Sequence, residues 1–400
     1  MTTGSPLLEV RGLCVDYGSG ESAVHAVVGA DLTLHGGEVF GLAGESGSGK
    51  STLAYSIARL LRMPGVITAG EVVFRDAERS VNLLDADAQQ LRELRWNQIA
   101  VVLQSAMHAL NPVLQIGSQL TDVLQAHRPG LDRTARRVRA GELLDLVGIP
   151  QGRLSAYPHE LSGGMRQRVM IAMALALEPR LLIMDEPTTA LDVVTQREIL
   201  EELMDLRERL GFAVLFITHD LSLLIEIADT IAVMYAGRLV ESAVARQLYH
   251  APRHPYSYGL LHSFPSLHGE RQAMTGIAGS PPDLRHLPSG CVFHPRCKYV
   301  MERCKQESPP LVSPAVVSPD APPRLVSCWL HTPAELHTPA ELHTPAELHT
   351  PAELHTPAGL PAGEAAQSTA PAELAVPDDL AMAGAAAAPA VASPTPGSAK

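Results

Sequence analysis

Short β-branched runs, several apolar throughout, recur through the first 250 residues, at 38–43, 99–103, 181–184 and 213–218. Their length is that of strands, and the lack of polar alternation fits strands buried on both faces. Between them lie stretches with helical spacing of apolar residues, at 51–61, 135–147, 164–177 and 194–210. Strand–helix alternation predicts one α/β unit over residues 1–250, with a mostly parallel sheet and helices on its faces. Residues 111–158 carry helical patterns and no strand pattern, so a helical insertion is expected within about 105–160.

The pattern changes beyond residue 250. Pro, His and Cys become frequent in 251–330, and regular periodicity fades after Leu261. So short a segment lacks a core of its own, and its four cysteines are candidates to replace one. From His331 the sequence repeats His-Thr-Pro-Ala-Glu-Leu four times, then runs His355-Thr356-Pro357-Ala358-Gly359-Leu360 into an Ala/Pro-rich end. A six-residue period with a proline in every unit suits neither helix nor sheet interior. Residues 331–400 are therefore read as a disordered, semi-extended spacer. The repeat histidines are read as solvated, with weak metal binding as the alternative.

Several motifs fall at the junctions of this pattern. Gly44-Glu45-Ser46-Gly47-Ser48-Gly49-Lys50-Ser51 lies between a strand run and a helix run. It fits the phosphate-loop spacing. Glycines let backbone N–H groups turn inward around phosphate oxygens, and the following helix adds the positive end of its dipole. Lys50 is placed to contact β- and γ-phosphates, and Ser51 to hold Mg²⁺. The run 181–184 ends in Asp185 and Glu186. Asp185 is a candidate for the magnesium shell, and Glu186 for orienting or deprotonating an attacking water. Leu161-Ser162-Gly163-Gly164-Met165-Arg166-Gln167 opens a helix, with Ser162 as its N-cap. This makes a second anion site. Gln104 and His219 each follow a strand run, at the carboxyl ends where α/β sheets place ligand contacts. Taken singly, an acidic turn, a Ser-Gly-Gly turn or a lone Gln or His reads as ordinary structure; their common order gives them weight.

Net charge is −12. Residues 331–400 contribute eight acidic residues and one lysine, a net −7, which leaves −5 for the remainder. Neither part suggests nucleic-acid binding. The longest solid apolar run in the folded part, 169–177, is too short to span a membrane. Met1 to Arg11 lacks a basic stretch followed by an apolar core, so no signal peptide is expected. The chain is read as cytosolic, meeting any membrane through partners.

The ordered set of phosphate loop, Gln104, 161–167, 181–186, Ala190-Leu191-Asp192 and His219 resembles the ATP-binding subunits of ABC transporters, over about residues 7–250. The resemblance implies a phosphate-loop (RecA-like) α/β core with a mostly parallel sheet, an antiparallel β part and a helical subdomain. It also implies two such domains facing head to tail, each ATP held between one loop and the partner's Ser-Gly-Gly helix. It assigns Gly44, Glu45, Ser46, Gly47, Ser48, Gly49, Lys50, Ser51 and Thr52 to the phosphates, and Ser162, Gly163 and Gly164 to the partner's γ-phosphate. By the same resemblance, Gln104 is expected to sense Mg²⁺ and the membrane subunits, Asp192 to lie at the dimer contact, His219 to hold the γ-phosphate and Tyr17 to stack on adenine. Glu186 and His219 are the implied catalytic residues; Ser51, Gln104 and Asp185 the implied magnesium set. Ser105 departs from the pattern, standing where an acidic residue is common.

Glu45–Ser48, Ala109-Leu110-Asn111-Pro112, Tyr157-Pro158-His159-Glu160, His254-Pro255-Tyr256, Gly279-Ser280-Pro281-Pro282 and Gly290-Cys291 through Arg296-Cys297 resemble the oligopeptide/dipeptide importer branch. This implies import of peptides, two permease subunits, a second and different ATPase subunit, an extracytoplasmic solute-binding protein, and a place at the cytoplasmic face of the membrane. Nickel or oligosaccharide import is the alternative within the branch. A soluble ABC ATPase of translation or DNA repair is disfavoured by the single phosphate loop and the lack of sustained heptads. A module that binds ATP without cleaving it is disfavoured by Glu186 and His219.

Cys291, Cys297, Cys304 and Cys328 are separated by five, six and 23 residues, without the short pairs of a zinc ribbon. Four thiolates can hold an iron–sulfur cluster without such pairs, and the branch resemblance implies a [4Fe–4S] cluster. Zinc and unliganded or disulfide-bonded thiols are the alternatives. Cys14, in the first strand, is expected to be a buried free thiol.

Overall fold

The structure is a computed structural model that describes residues 6–76, 79–104, 106–189, 191–263, 276–314 and 323–332. His331 and Thr332, the first two residues of the first repeat, are described and buried; the rest of the repeats, the tail, Ser105 and Ala190 lie outside the described residues.

The chain opens with two long antiparallel strands, β1 (Pro6–Tyr17) and β2 (Val24–His35), followed by β3 (Val39–Ala43), the phosphate loop and α1 (Lys50–Ile57). Next come β4 (Gly65–Arg75), β5 (Ser80–Asn82), α2 (Ala88–Leu94) and β6 (Ile99–Val102). The helical part holds α3 (Ile116–His127), α4 (Arg133–Leu146) and α5 (Gly163–Ala174). The chain returns to strands with β7 (Leu181–Asp185), then α6 (Val193–Leu210), β8 (Ala213–Ile217), α7 (Leu221–Ile227), β9 (Thr230–Tyr235) and β10 (Arg238–Val244). The C-terminal part adds α8 (Ala245–His250), α9 (Pro255–Leu261), α10 (Glu302–Gln306) and β11 (Arg324–Val326).

The strands form two sheets. One is antiparallel, in the order β2-β1-β4-β5. The other runs β11-β10-β9-β3-β8-β7-β6, parallel from β9 to β6, with β10 and β11 antiparallel at one edge. Both faces of the parallel sheet are covered, which is why its strands are apolar throughout. On β8 the period of two is explicit. Leu215 and Ile217 join the core shared with the antiparallel sheet and with Leu53 and Ile57 of α1. Val214 and Phe216 face the helical side, with Leu120, Leu143 and Leu203.

The expected strands and helices appear within a few residues of their predicted ends. Helix α1 stops at Ile57 rather than 61. The strands β4, β9 and β10 have no counterpart among the runs named above: β4 alternates in its last residues, β10 carries Arg238 and Glu241, and β9 is missing from them although it is an interior strand buried from Ile231 to Tyr235. Cys14 is half-buried rather than buried: its strand face is open enough for Gly29 N–H to donate to Sγ at 3.2 Å. The cysteine-bearing segment is tied to the large sheet, where β11 pairs with β10.

Candidate functional site

Parallel strands put their carboxyl ends on one side of the sheet. The phosphate loop follows β3, Gln104 follows β6, Asp185 ends β7 and His219 follows β8. Tertiary pairing thus gathers residues from positions 44 to 219 at one sheet edge, as ligand sites of such folds require.

The loop's glycines are there for steric reasons. At Gly44 (φ 152°) a Cβ would stand 2.2 Å from the Met234 carbonyl oxygen, and at Gly49 (φ 105°) 2.2 Å from that of Ala26. Neither backbone atom can yield. Lys50 is nearly buried, and its Nζ donates to the carbonyl oxygens of Gly44 and Glu45, both at 2.9 Å. Burial lowers its pKa, while the carboxylates of Glu186, Asp185 and Glu45 pull the other way. Ser51 Oγ donates to Asp185 Oδ1 at 3.0 Å. Asp185 is fully buried; burial raises its pKa, against Tyr55 and Ser51, which lower it. Its Oδ2 and the buried Ser48 Oγ find no hydrogen-bond partner among the described residues. Unsatisfied buried oxygens are costly. Here Asp185, with the Ser51 hydroxyl beside it, makes a donor set for a hard cation.

Glu186 adopts a left-handed backbone, φ 46°, which costs a non-glycine residue roughly 1–2 kcal/mol. A hydrogen bond from its N–H to Ile217 O (2.9 Å) holds it there. Its carboxylate accepts from Gln104 Nε2 at 3.0 Å and from Thr189 Oγ1 at 3.2 Å, and meets His219 Nδ1 at 3.2 Å. A cleft of about 460 Å³ is lined by Gly44, Glu45, Ser46, Glu186 and His219, and on its other wall by Leu260, Ser263 and Ile277.

The structure therefore brings together the phosphate loop, Ser51, Asp185, Gln104, Glu186 and His219. Gln104 bonds to Glu186; no hydrogen bond joins it to Ser51 or Asp185 among the described residues. Tyr17 lies beside the loop, its hydroxyl 3.3 Å from Thr52 Oγ1. Ser162, Gly163, Gly164 and Asp192 form a separate cluster and do not line the cleft. Ser162 caps α5, accepting from Met165 N–H at 3.2 Å, and Asp192 caps α6, accepting from Thr195 N–H at 2.9 Å. The two helix starts pack closely: a Cβ at Gly164 would lie 2.6 Å from Thr195 Cγ2.

Sequence reasoning missed four residues here. Tyr55 sits against Asp185; its spacing of four from Ser51 on one helix face was the available signal. Thr189 supports Glu186. Tyr256 and Arg296 reach the phosphate loop from more than 200 residues away, and no local pattern announces that.

The four late cysteines are free thiols that line one small cavity of about 10 Å³, together with His254 and Trp329. Burial raises the pKa of Cys291, that of Cys297 to about 11, and that of Cys328 well above the ordinary thiol range. Among the described residues no group of three or more His, Cys, Asp or Glu side chains is arranged to hold a single metal ion.

Residues 27–189 match the ABC transporter family, and residues 240–304 match the oligopeptide/dipeptide transporter C-terminal region. The oligopeptide transport ATP-binding protein OppD of Haemophilus influenzae is 44% identical over 303 residues, 75% of this chain and 92% of that protein. OppD of Bacillus subtilis is 42% identical over 328 residues, 79% of this chain and 90% of its own length. Among solved structures, the dimeric post-hydrolysis state of the ATP-binding cassette MJ0796, bound to ADP and Pi, superposes with a TM-score of 0.53 at 30% identity. It covers 60% of this chain and 99% of that one. With the cassette fold, the loop geometry and both sequence matches in agreement, the chain belongs to the ATP-binding subunits of ABC transporters, in the oligopeptide/dipeptide branch.

Proposed function

We propose that this chain binds and hydrolyses ATP to drive import of di- and oligopeptides through partner permeases. The observation that carries the reading is the assembly of Lys50, Ser51, Asp185, Glu186 and His219 around one cleft at the phosphate loop. Residues 44–52 bind the triphosphate, Lys50 exchanging its two loop carbonyls for β- and γ-phosphate oxygens. Ser51 and Asp185 would hold Mg²⁺, which would neutralise phosphate charge. Gln104, which donates to Glu186, would complete the residues that hold the ion. Glu186 then takes the proton of the attacking water, and His219 positions the γ-phosphate and keeps the carboxylate aimed. Tyr17 packs on the adenine.

Ser162, Gly163 and Gly164 stand away from this cleft, which suits a role on the nucleotide of an opposing ATPase subunit, with Asp192 at the same contact. Val193 and Val194, 81% and 69% exposed beside Asp192, offer that subunit an apolar surface. ATP bridging the two halves stabilises the closed state alone, and hydrolysis releases it. Leu103 beside Gln104, and Val113, Leu114 and Tyr157 in the segment that carries the helical part, are exposed apolar residues, Val113 at 76%. We assign them to the two permease subunits. No described helix is long and apolar enough to cross a membrane; the attachment, in this reading, runs through the permease subunits at the cytoplasmic face. A different ATPase chain completes the pair, and a solute-binding protein delivers cargo without touching this chain.

For the late cysteines we propose a [4Fe–4S] cluster that staples the extension, zinc being the alternative. Four thiols lining one cavity support it. Raised thiol pKa values mean that loading releases protons. Iron and acid-labile sulfide after anaerobic purification test this; stoichiometric zinc without iron refutes it.

The ATP reading is tested by calorimetry on the transporter carrying Lys50→Ala. Loss of magnesium-dependent ATP binding is expected; unchanged affinity overturns the assignment.

A further inference from the structure

Glu45 raises an electrostatic question. It is a carboxylate inside a loop that, on the reading above, receives a triphosphate. A like charge beside bound phosphate opposes binding unless something neutralises it. The neutralising group comes from the cysteine-bearing extension. Arg296 grips the carboxylate with both arms, Nη1 to Oε2 at 2.8 Å and Nη2 to Oε1 at 3.0 Å. Its side chain is only 6% exposed. Nε donates to Ala278 O at 2.9 Å, and Nη1 also reaches the Tyr235 hydroxyl at 3.3 Å. The guanidinium is thus held on three sides, and the fork geometry fixes the carboxylate's orientation. A second contact falls on the same residue: Glu45 N–H donates to the hydroxyl of the fully buried Tyr256 at 2.9 Å.

We propose that Arg296 and Tyr256 are positioning residues of the phosphate loop, acting through the side chain and the backbone of Glu45. The turn carrying Arg296 (His294–Arg296) lies between Cys291 and Cys297, so one tight turn joins the thiol cavity to the nucleotide cleft. The extension is thereby a working wall of the ATP site. The inference rests on the ATP reading of that cleft.

The test uses the assembled transporter, with MgATP affinity read by titration of a fluorescent ATP analogue, kcat by phosphate release, and Tm alongside. Arg296→Gln leaves Glu45 unpaired and is expected to weaken MgATP binding about tenfold, with kcat at saturation changed by less than about threefold. In a Glu45→Gln background the same replacement should cost less than about twofold, because no charge is left to neutralise. Arg296→Lys should recover part of the loss. Tyr256→Phe, whose ring still packs on Tyr235 and Phe293, should weaken binding several-fold at unchanged Tm; this arm stands even if Arg296 variants fold poorly. Equal losses in both backgrounds, or a lower Tm with unaltered affinity, overturn the proposal. Absence of MgATP binding by the unmodified transporter instead defeats the ATP reading itself.

Discussion

Two buried carboxylates, Asp185 and Glu241, are both fully enclosed, yet their surroundings are opposite. Glu241 is saturated. Oε1 accepts from Arg253 N–H at 2.8 Å and from Arg324 Nη2 at 2.6 Å, and Oε2 accepts from His254 N–H at 2.9 Å. Asp185 keeps one oxygen without a partner among the described residues, as does Ser48 Oγ of the phosphate loop. The saturated carboxylate fastens the C-terminal extension to the sheet. The unsaturated one waits for a ligand. Burial alone does not separate a staple from a site; the account of its oxygens does.

The largest expected effect tests the site side of this contrast. Glu186→Gln keeps the shape of the cleft and removes the base, so ATP turnover should fall by ~10²–10⁴ while MgATP binding survives. Phosphate release and a stable ATP-bound ATPase pair on gel filtration measure it; undiminished turnover would remove Glu186 from the chemistry.

Next comes the staple. Glu241→Ala leaves Arg324 buried without its counter-charge, a loss of about 3–5 kcal/mol, and Tm should drop by roughly 10 °C. Replacing Glu241 and Arg324 together by apolar residues should restore most of it. If the single variant melts like the parent, the pair does not fasten the extension.

Asp185→Asn sharpens the comparison by going the other way. A buried carboxyl with a raised pKa favours its protonated form in the folded state, so its stabilising effect is present at low pH and fades as pH rises through that raised value. At neutral pH the charge is a cost. The nucleotide-free variant should melt higher by about 2–4 °C and lose Mg²⁺-dependent hydrolysis. The gain should shrink as pH falls; a lower Tm at neutral pH would place Asp185 with Glu241 as a staple.

Smallest is Ser162→Ala. Losing the cap of α5 costs about 1 kcal/mol, a shift of a few degrees in Tm. ATP-driven pairing of the ATPase subunits should weaken more than that stability change accounts for. A pairing loss no larger than the stability loss would reduce Ser162 to a cap.

The contrast also explains what could be read in advance. The phosphate loop, the acidic end of β7 and the Ser-Gly-Gly start of α5 are contiguous, and each needs its residue types at fixed spacing, so each was legible. The buried strands β3, β7 and β8 were legible because two-sided burial leaves no polar position. The strands β4 and β10 were not, since their neighbours and not their own pattern make them strands; β9, buried from Ile231 to Tyr235, carried the same apolar signal as β3 and was missed. Tyr256, Arg296 and the Glu241–Arg324 pair were invisible because nothing local in a Tyr or an Arg tells which distant carboxylate it will meet.

By itself, then, the sequence determined the local geometry: a glycine loop that only glycine can form, a capped helix, apolar strands too short for a membrane. The tertiary structure alone decided which of those pieces share a cleft. Parallel pairing of β3, β6, β7 and β8 carries four separate strand ends to one edge, and folding back of the extension supplies the positive charge that Glu45 requires. The reason is physical: conformational preference acts over a few residues, whereas charge neutralisation and burial act across space, between groups that only the completed chain brings within reach.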